Sequence, residues 1–188
     1  MYPLFHQTGL DLGVLTANFQ TIAALLLLNM PSPAATFIAL ANVLNRSLPL
    51  SFYTTDEGAQ SSAYNLVLRT LSLQSPSLHE HLTKRVPGLE PYMYLNDVFM
   101  SLFTNQLAID EASRVWDVYV FEGDAVLIRV AVAFLLRVEM NLLGSKTREE
   151  VRSVIGGQST VSNTVPVVTE QGAEDKFMAT VREAAKTS

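Results

Sequence analysis

The sequence predicts an all-α domain, and three observations support this prediction. No alternating run of apolar and polar residues, bounded by turn residues, occurs along the chain, so strands are not expected. Apolar residues recur instead at helical spacing. Proline, glycine and capping residues separate these segments. With usual helix and loop lengths, 188 residues give roughly seven to nine helices with short connections.

The first two helices are predicted over residues 18–30 and 33–45. Pro31 stops the first, and Pro33 suits the first turn of the second, whose apolar positions include Phe37, Ala41 and Leu44. Thr55 or Asp56 can cap a third helix that reaches Leu73. A short helix over residues 77–84 then precedes a Pro-Gly turn.

The next helix shows the clearest amphipathic pattern of the chain. One stripe contains Tyr92, Leu95, Phe99, Leu102 and Phe103, whereas the polar residues off the stripe are Asn96, Asp97 and Ser101.

A helix over residues 110–122 follows, with a shared apolar face of Ile109, Ala112, Trp116 and Tyr119. Trp116 is predicted to anchor the core, and Asp117 to orient a backbone group or an arginine. Asp110 and Arg114 stand four residues apart and can pair. Gly123 can adopt the left-handed stop, and Asp124 can cap the next helix.

The longest apolar stretch, residues 125–143, contains Arg129, Arg137 and Glu139. A basic residue near the centre of a bilayer costs about 2.5–3.5 kcal/mol, which favours a buried helix of a globular domain. The two arginines are expected to pair with carboxylates on a neighbouring helix. The N-terminus lacks a basic region, and Asp11 interrupts its apolar stretch, so a secretory signal is not expected.

The remaining segments read as a helix junction, a linker and a tail helix. Gly144-Ser145-Lys146-Thr147 only partly resembles a phosphate loop, since no strand precedes it and Ser145 separates the glycine from the lysine. We interpret it as a helix end followed by a capping box that starts at Thr147. The tail is predicted as an amphipathic helix, docked or loose, with Phe177 and Val181 inward.

Composition narrows the function. Hydrophobic residues make up 48% of the chain and charged residues 16%, which is a globular balance. The net charge of −5 and the lack of a basic run argue against nucleic-acid binding. The absence of cysteine excludes disulfides and thiolate chemistry and is consistent with a reducing compartment.

No catalytic or metal motif stands out. His79-Glu80-His81 has the wrong spacing for a zinc pair on a helix, which needs ligands three or four residues apart. No Gly-x-Ser-x-Gly elbow occurs. We therefore predict neither a bound metal nor a cofactor.

Several segments, in order, carry a resemblance to a known family. They are residues 22–30, residues 37–48, residues 94–104, and Arg114-Val115-Trp116-Asp117 with Glu122-Gly123 and the helix that follows. Together they span residues 22–155. In these segments the chain resembles the C-terminal half of a TBC domain, the all-helical domain of Rab GTPase-activating proteins. The resemblance implies a multi-helix orthogonal array whose N-terminal part is truncated.

The family's mechanism implies two catalytic fingers, an arginine in Ile-x-x-Asp-x-x-Arg and a glutamine in Tyr-x-Gln-Gly. An activating arginine accelerates hydrolysis by about 10³–10⁵. Neither motif occurs in this chain. Residues 14–21 stand where the family has the glutamine, and Gln20 is the one weak candidate, out of register. Upstream residues 5–17 resemble the preceding helix, which is predicted to run straight into the next.

The resemblance implies a domain division and a partner. Residues 1–21 form a partial N-terminal region with an altered junction, 22–156 the TBC-domain part, 157–172 a linker and 173–188 a C-terminal helix or tail. The implied partner is a Rab-type small GTPase in vesicle traffic. No integral membrane span is expected. A cytoplasmic location is expected, with peripheral attachment to endomembranes left open. Two alternatives remain, a non-catalytic binding module and a non-functional splice or gene-model fragment.

Overall fold

A computed structural model describes residues 12–156 and 172–185 of the protein. Within these two ranges the secondary structure is helical, with eleven α-helices and no strand, so the predicted all-α class is confirmed. The helix count exceeds the predicted seven to nine because two short helices, α3 and α9, are not expected as separate helices from the sequence. No helix in this part of the chain is long and apolar enough to cross a membrane.

The helices follow one another with short connections. They are α1 (Leu12–Asn29), α2 (Pro33–Leu44), α3 (Ser47–Tyr53), α4 (Glu57–Gln74), α5 (Pro76–Glu80), α6 (Tyr92–Met100), α7 (Ile109–Glu122), α8 (Ala125–Arg137), α9 (Glu139–Gly144), α10 (Arg148–Ile155) and α11 (Ala173–Ala185). A π-helical turn, His81–Arg85, continues α5.

Most predicted helix starts and stops are confirmed. Asp56 caps α4 by accepting a hydrogen bond from the backbone N–H of Ala59 at 3.1 Å. Thr147 caps α10 in the predicted capping box. Gly123 ends α7 with φ at +80°, a conformation that a side chain with a Cβ resists. Local chemistry therefore sets these boundaries.

Three boundaries differ from the sequence prediction. The sequence prediction contains no helix at α3, because Pro49 argues against one. In the structure this proline lies in the first turn of α3, where a missing N–H removes no hydrogen bond within the helix. The apolar helix predicted over residues 125–143 is divided at Val138 (φ −99°, ψ 12°) into α8 and α9. α6 ends at Met100 because Leu102 and Phe103 adopt positive φ values of 47° and 67°.

Some predicted faces were also wrong. Tyr92 and Ile109 are 56% and 55% exposed, because each is the first residue of its helix and points away from the core. Ser101, which the sequence predicts to lie off the apolar stripe, is fully buried. There its hydroxyl donates to the side-chain oxygen of Gln106 at 2.9 Å.

Helix α8 lies at the centre of the core. All residues from Val130 to Leu135 are buried, and α8 packs against α4, α7 and α11. An aromatic cluster, Phe52, Tyr64, Phe99 and Phe103, joins α3, α4 and α6. α11 docks on α7 and α8 with Phe177 and Val181 buried, as predicted. The predicted linker over 157–172 lies, except for Gly172, outside the described residues.

Candidate functional site

The segment in which the glutamine finger is expected, residues 14–21, lies within a single helix. α1 runs without interruption from Leu12 to Asn29, as predicted from the direct joining of two helical segments. Gln20 is exposed on this helix, whereas Asn18 is buried and Ile22 is fully buried. A residue in the middle of a helix is fixed in direction by the backbone hydrogen bonds around it.

Helix α1 is tied to the turn that follows α6. The hydroxyls of Thr21 and Thr104 are hydrogen-bonded at 2.8 Å, and the Asn105 amide donates to the side-chain oxygen of Asn18 at 2.9 Å. The Phe19 ring lies 4.9 Å from that of Tyr53. These contacts join residues that are distant in sequence, and no sequence signal identifies the partners. They set the position of α1, and with it that of Gln20.

The turn after α6 stores backbone strain. Leu102 and Phe103 are both fully buried and both left-handed, a conformation that is unfavourable for bulky side chains. The indole Nε1–H of Trp116 donates to the carbonyl oxygen of Leu102 at 3.2 Å. Trp116 is 6% exposed, which confirms it as a core anchor, and its hydrogen bond helps to hold this strained turn.

The two arginines of α8 form ion pairs, as predicted. Arg129 pairs with Glu122 of α7. Arg137 donates to both carboxylate oxygens of Glu111 at 2.9 and 2.8 Å, and its guanidinium lies 4.9 Å from the centre of the Phe177 ring. The two ion pairs join α8 to α7, and the ring contact of Arg137 joins α8 to α11. Their geometry is that of structural contacts between helices.

Other acidic residues differ in part from their predicted roles. Arg114 pairs with Asp117 at 3.8 Å, so the arginine partner predicted for Asp117 is confirmed and the pairing with Asp110 is wrong. Asp124 does not cap α8. Its carboxylate accepts instead from the backbone N–H of Leu48 at 2.8 Å and the Tyr119 hydroxyl at 3.3 Å. Both donors come from other helices, and they bind the Asp124 carboxylate, which the local sequence pattern predicts as the cap of α8.

A sequence model of the Rab-GTPase-TBC domain matches residues 16–143, which begin within α1 and end within α9. The chain belongs to the TBC-domain family. The match confirms the resemblance carried by the segment from Arg114 to Gly123. The structure supplies the all-helical fold expected of a TBC domain.

Individual relatives agree with this assignment. The chain is 34% identical to bovine TBC1 domain family member 14 over 114 residues, which are 61% of this chain and 16% of that protein. It is 34% identical to a TBC domain-containing protein of Schizosaccharomyces pombe over 163 residues, 78% of this chain and 34% of the relative. It is also 34% identical to TBC1 domain family member 12 of Xenopus tropicalis over 122 residues, which are 65% of this chain and 17% of that protein. This chain therefore spans a minor part of each relative.

His81 of this TBC-domain chain has structural surroundings. His81 is 8% exposed, and its Nε2 lies 2.9 Å from the carbonyl oxygen of Ser145. His81 thus contacts the junction of α9 and α10, where Gly144 ends one helix and Thr147 caps the next, as predicted for this segment. Among residues 12–156 and 172–185, no group of three or more acidic or histidine side chains could hold a metal ion.

Two surface clefts lie away from Gln20. One, of about 420 Å³, lies between α3, α4 and α8 and is lined by small residues together with Leu48, Leu66 and Ile128. The other, of about 360 Å³, lies between α6 and α10. Tyr94 lines the second cleft, and burial raises the pKa of its phenol above the ordinary range, with a further contribution from Glu90. The buried Tyr94 hydroxyl has no hydrogen-bond partner among the described residues, which suggests a packing role for this side chain.

Proposed function

We propose that this TBC-domain chain regulates a Rab-type small GTPase without itself accelerating GTP hydrolysis. The observation that carries the proposal is the uninterrupted helix α1 over the segment where the glutamine finger is expected. Gln20 is held within this helix, and the residues around it do not form the expected motif. Displacements near one ångström already reduce catalysis strongly. The arginine finger motif has no counterpart in the sequence.

The test is single-turnover hydrolysis of GTP by a panel of Rab proteins, with and without the chain. A TBC domain that carries both finger motifs serves as the positive control. We expect stimulation below about tenfold, far under the 10³–10⁵ that an activating arginine supplies. Stimulation above that level, lost in Gln20→Ala, would show that Gln20 acts as a finger and would overturn the proposal.

A second candidate function is a binding module for a GTPase or another protein through the helical surface. The exposed apolar side chains on α1 and α2, among them Leu28 and Phe37, favour it. A pull-down that captures GTP-loaded but not GDP-loaded Rab supports GTPase binding. If the chain binds no small GTPase in the GTP-loaded or the GDP-loaded state, both the regulation of a Rab and the binding of a Rab are contradicted.

The cellular setting is also proposed from family membership. We infer a role in vesicle traffic, in the cytoplasm or at the surface of endomembranes. We further propose the division into residues 1–21, 22–156, 157–172 and 173–188. Limited proteolysis tests the division, because cleavage is expected within 157–172 before the helices of the TBC-domain part are cut. Fluorescence imaging beside organelle markers tests the location.

A further inference from the structure

The C-terminal helix α11 meets the rest of the chain along one stripe. Phe177, Met178, Val181 and Ala184 recur at helical spacing, and each is 5% exposed or less. Ala179, on another side of the same helix, is exposed. The stripe packs mainly against α7 and α8. We call the surface of α7 and α8 that lies under this stripe the α11 groove.

Arg137 of α8 is the part of the groove that contacts Phe177. Its guanidinium lies 4.9 Å from the centre of the Phe177 ring. The same group donates to both carboxylate oxygens of Glu111 and to the carbonyl oxygen of Gln106. Both of these partners lie outside α11. Departure of α11 therefore leaves the Arg137 charge paired, and the large cost of a charge without its partner does not arise.

α11 is short and is joined to the rest of the chain by a long connection. It has 13 residues, and isolated helices shorter than about 12–15 residues are marginal in water, so α11 depends on the groove for its helical structure. The connection from Gly156, at the end of α10, to Gly172 reaches at most about 55 Å when fully extended. This length allows α11 to leave the groove without moving α10.

We propose that the α11 groove is a binding site for an amphipathic helix of a partner protein, and that α11 is a displaceable occupant that keeps this site closed. Helix-in-groove binding uses apolar anchors spaced by about one turn. α11 shows the pattern that the groove accepts: an aromatic residue, apolar residues one and four positions later, and a small residue seven positions later. An open groove exposes the apolar surface that this stripe covers, so it favours a second helix with the same stripe.

Competition within the chain sets the expected strength of binding. A tethered helix has an effective concentration on the order of 1 mM. A free helix of the same sequence must fold as it binds, and we expect it to bind the open groove with a dissociation constant on the order of 10 µM. The resident α11 then raises the apparent dissociation constant about 100-fold. The site is therefore nearly closed in the intact chain and opens when α11 is weakened or displaced.

A fluorescent peptide with the sequence of residues 172–188 is the probe, and its anisotropy measures binding to the full chain. In the double variant Phe177→Asp/Val181→Asp, two charges on the stripe release α11. We expect this variant to bind the peptide at least about tenfold more tightly than the unsubstituted chain does. A peptide that itself carries Phe177→Asp is expected not to bind.

Ala179→Asp is the matched control, because it adds a charge to α11 at an exposed position. This variant is expected to bind the peptide as weakly as the unsubstituted chain does. Equal binding of the peptide to Ala179→Asp and to the double variant overturns the proposal. Loss of the remaining helices in the double variant, measured by circular dichroism, also overturns it, because α11 then belongs to one cooperative core.

Hydrogen exchange of the unsubstituted chain tests the displacement without any variant. If α11 opens alone, backbone amides at its centre, from Phe177 to Val181, exchange at least about tenfold faster than those at the centre of α8. Equal exchange rates in the two helices would mean that only global unfolding exposes the groove, and the proposal would fail. Neither measurement involves a GTPase, so the outcome of the Rab experiments leaves both unaffected.

Discussion

Replacing Arg137 with methionine tests how far one ion pair holds three helices together. Arg137 of α8 donates to both oxygens of Glu111 on α7 and also to the carbonyl oxygen of Gln106 at 3.2 Å. The Glu111 side chain is 10% exposed, and its remaining hydrogen bond comes from the backbone N–H of Ala108 at 3.2 Å. Arg137→Met keeps much of the volume against Phe177 but leaves the Glu111 carboxylate buried without its counter-charge.

The expected loss follows from these exposures. Removing one partner of a fully buried pair costs about 3–5 kcal/mol. The Arg137 side chain is 35% exposed, so water screens part of the interaction, and we expect about 2–3 kcal/mol. Loss of the contact with the Phe177 ring adds about 0.5–1 kcal/mol. A total near 3 kcal/mol corresponds to a melting temperature lower by about 6–12 °C for a chain of this size.

Urea unfolding followed by far-ultraviolet circular dichroism and by Trp116 fluorescence measures this loss. Arg114→Ala is the matched control, because its pair with Asp117 is 53% and 68% exposed and should contribute less than about 0.5 kcal/mol. The double variant Glu111→Gln/Arg137→Met is expected to be more stable than Arg137→Met, since no charge is then left alone. An Arg137→Met loss equal to that of Arg114→Ala would refute the reasoning.

Three further outcomes are expected. Asp124→Ala should lower the free energy of unfolding by about 1–3 kcal/mol, because the Leu48 N–H and the Tyr119 O–H both lose their acceptor. A loss in urea unfolding as small as that of Arg114→Ala would contradict these contacts. Gly123→Ala should cost about 1–3 kcal/mol in urea unfolding, although nothing lies within 4 Å of the added carbon. The reason is that φ +80° with ψ −162° is a backbone conformation that essentially only glycine adopts. Stability should fall as the pH rises above about 10. Burial raises the pKa of four tyrosine side chains in the folded chain, so the unfolded chain loses these protons first; the four are Tyr53, Tyr64, Tyr94 and Tyr119. Urea midpoints measured across that pH range check this prediction.

The sequence predicted those parts of the fold that depend on neighbouring residues. Asp56, Gly123 and Thr147 act within one helical turn, and each has the predicted role. Asp124 shows the limit of such reasoning. Its local pattern matches a helix cap, but the Leu48 N–H, distant in sequence, takes its carboxylate. Competition from a distant donor cannot be read from a local pattern.

The candidate site was predictable to a smaller extent. The continuity of α1 followed from the sequence, because residues 14–21 contain neither proline nor glycine. The contacts of Thr21 with Thr104 and of Asn18 with Asn105 depend on how α1 meets the turn after α6. That turn has positive φ values at Leu102 and Phe103, which no propensity favours.

The docking of α11 has a consequence for how the chain folds during synthesis. α7 and α8 leave the ribosome before α11, whose buried Phe177, Met178 and Val181 cover their surface. At about 5–20 residues per second, that surface stays uncovered for a few seconds while the residues between α8 and α11 are made. A chaperone that binds exposed apolar helices during translation would therefore find its site on α7 and α8.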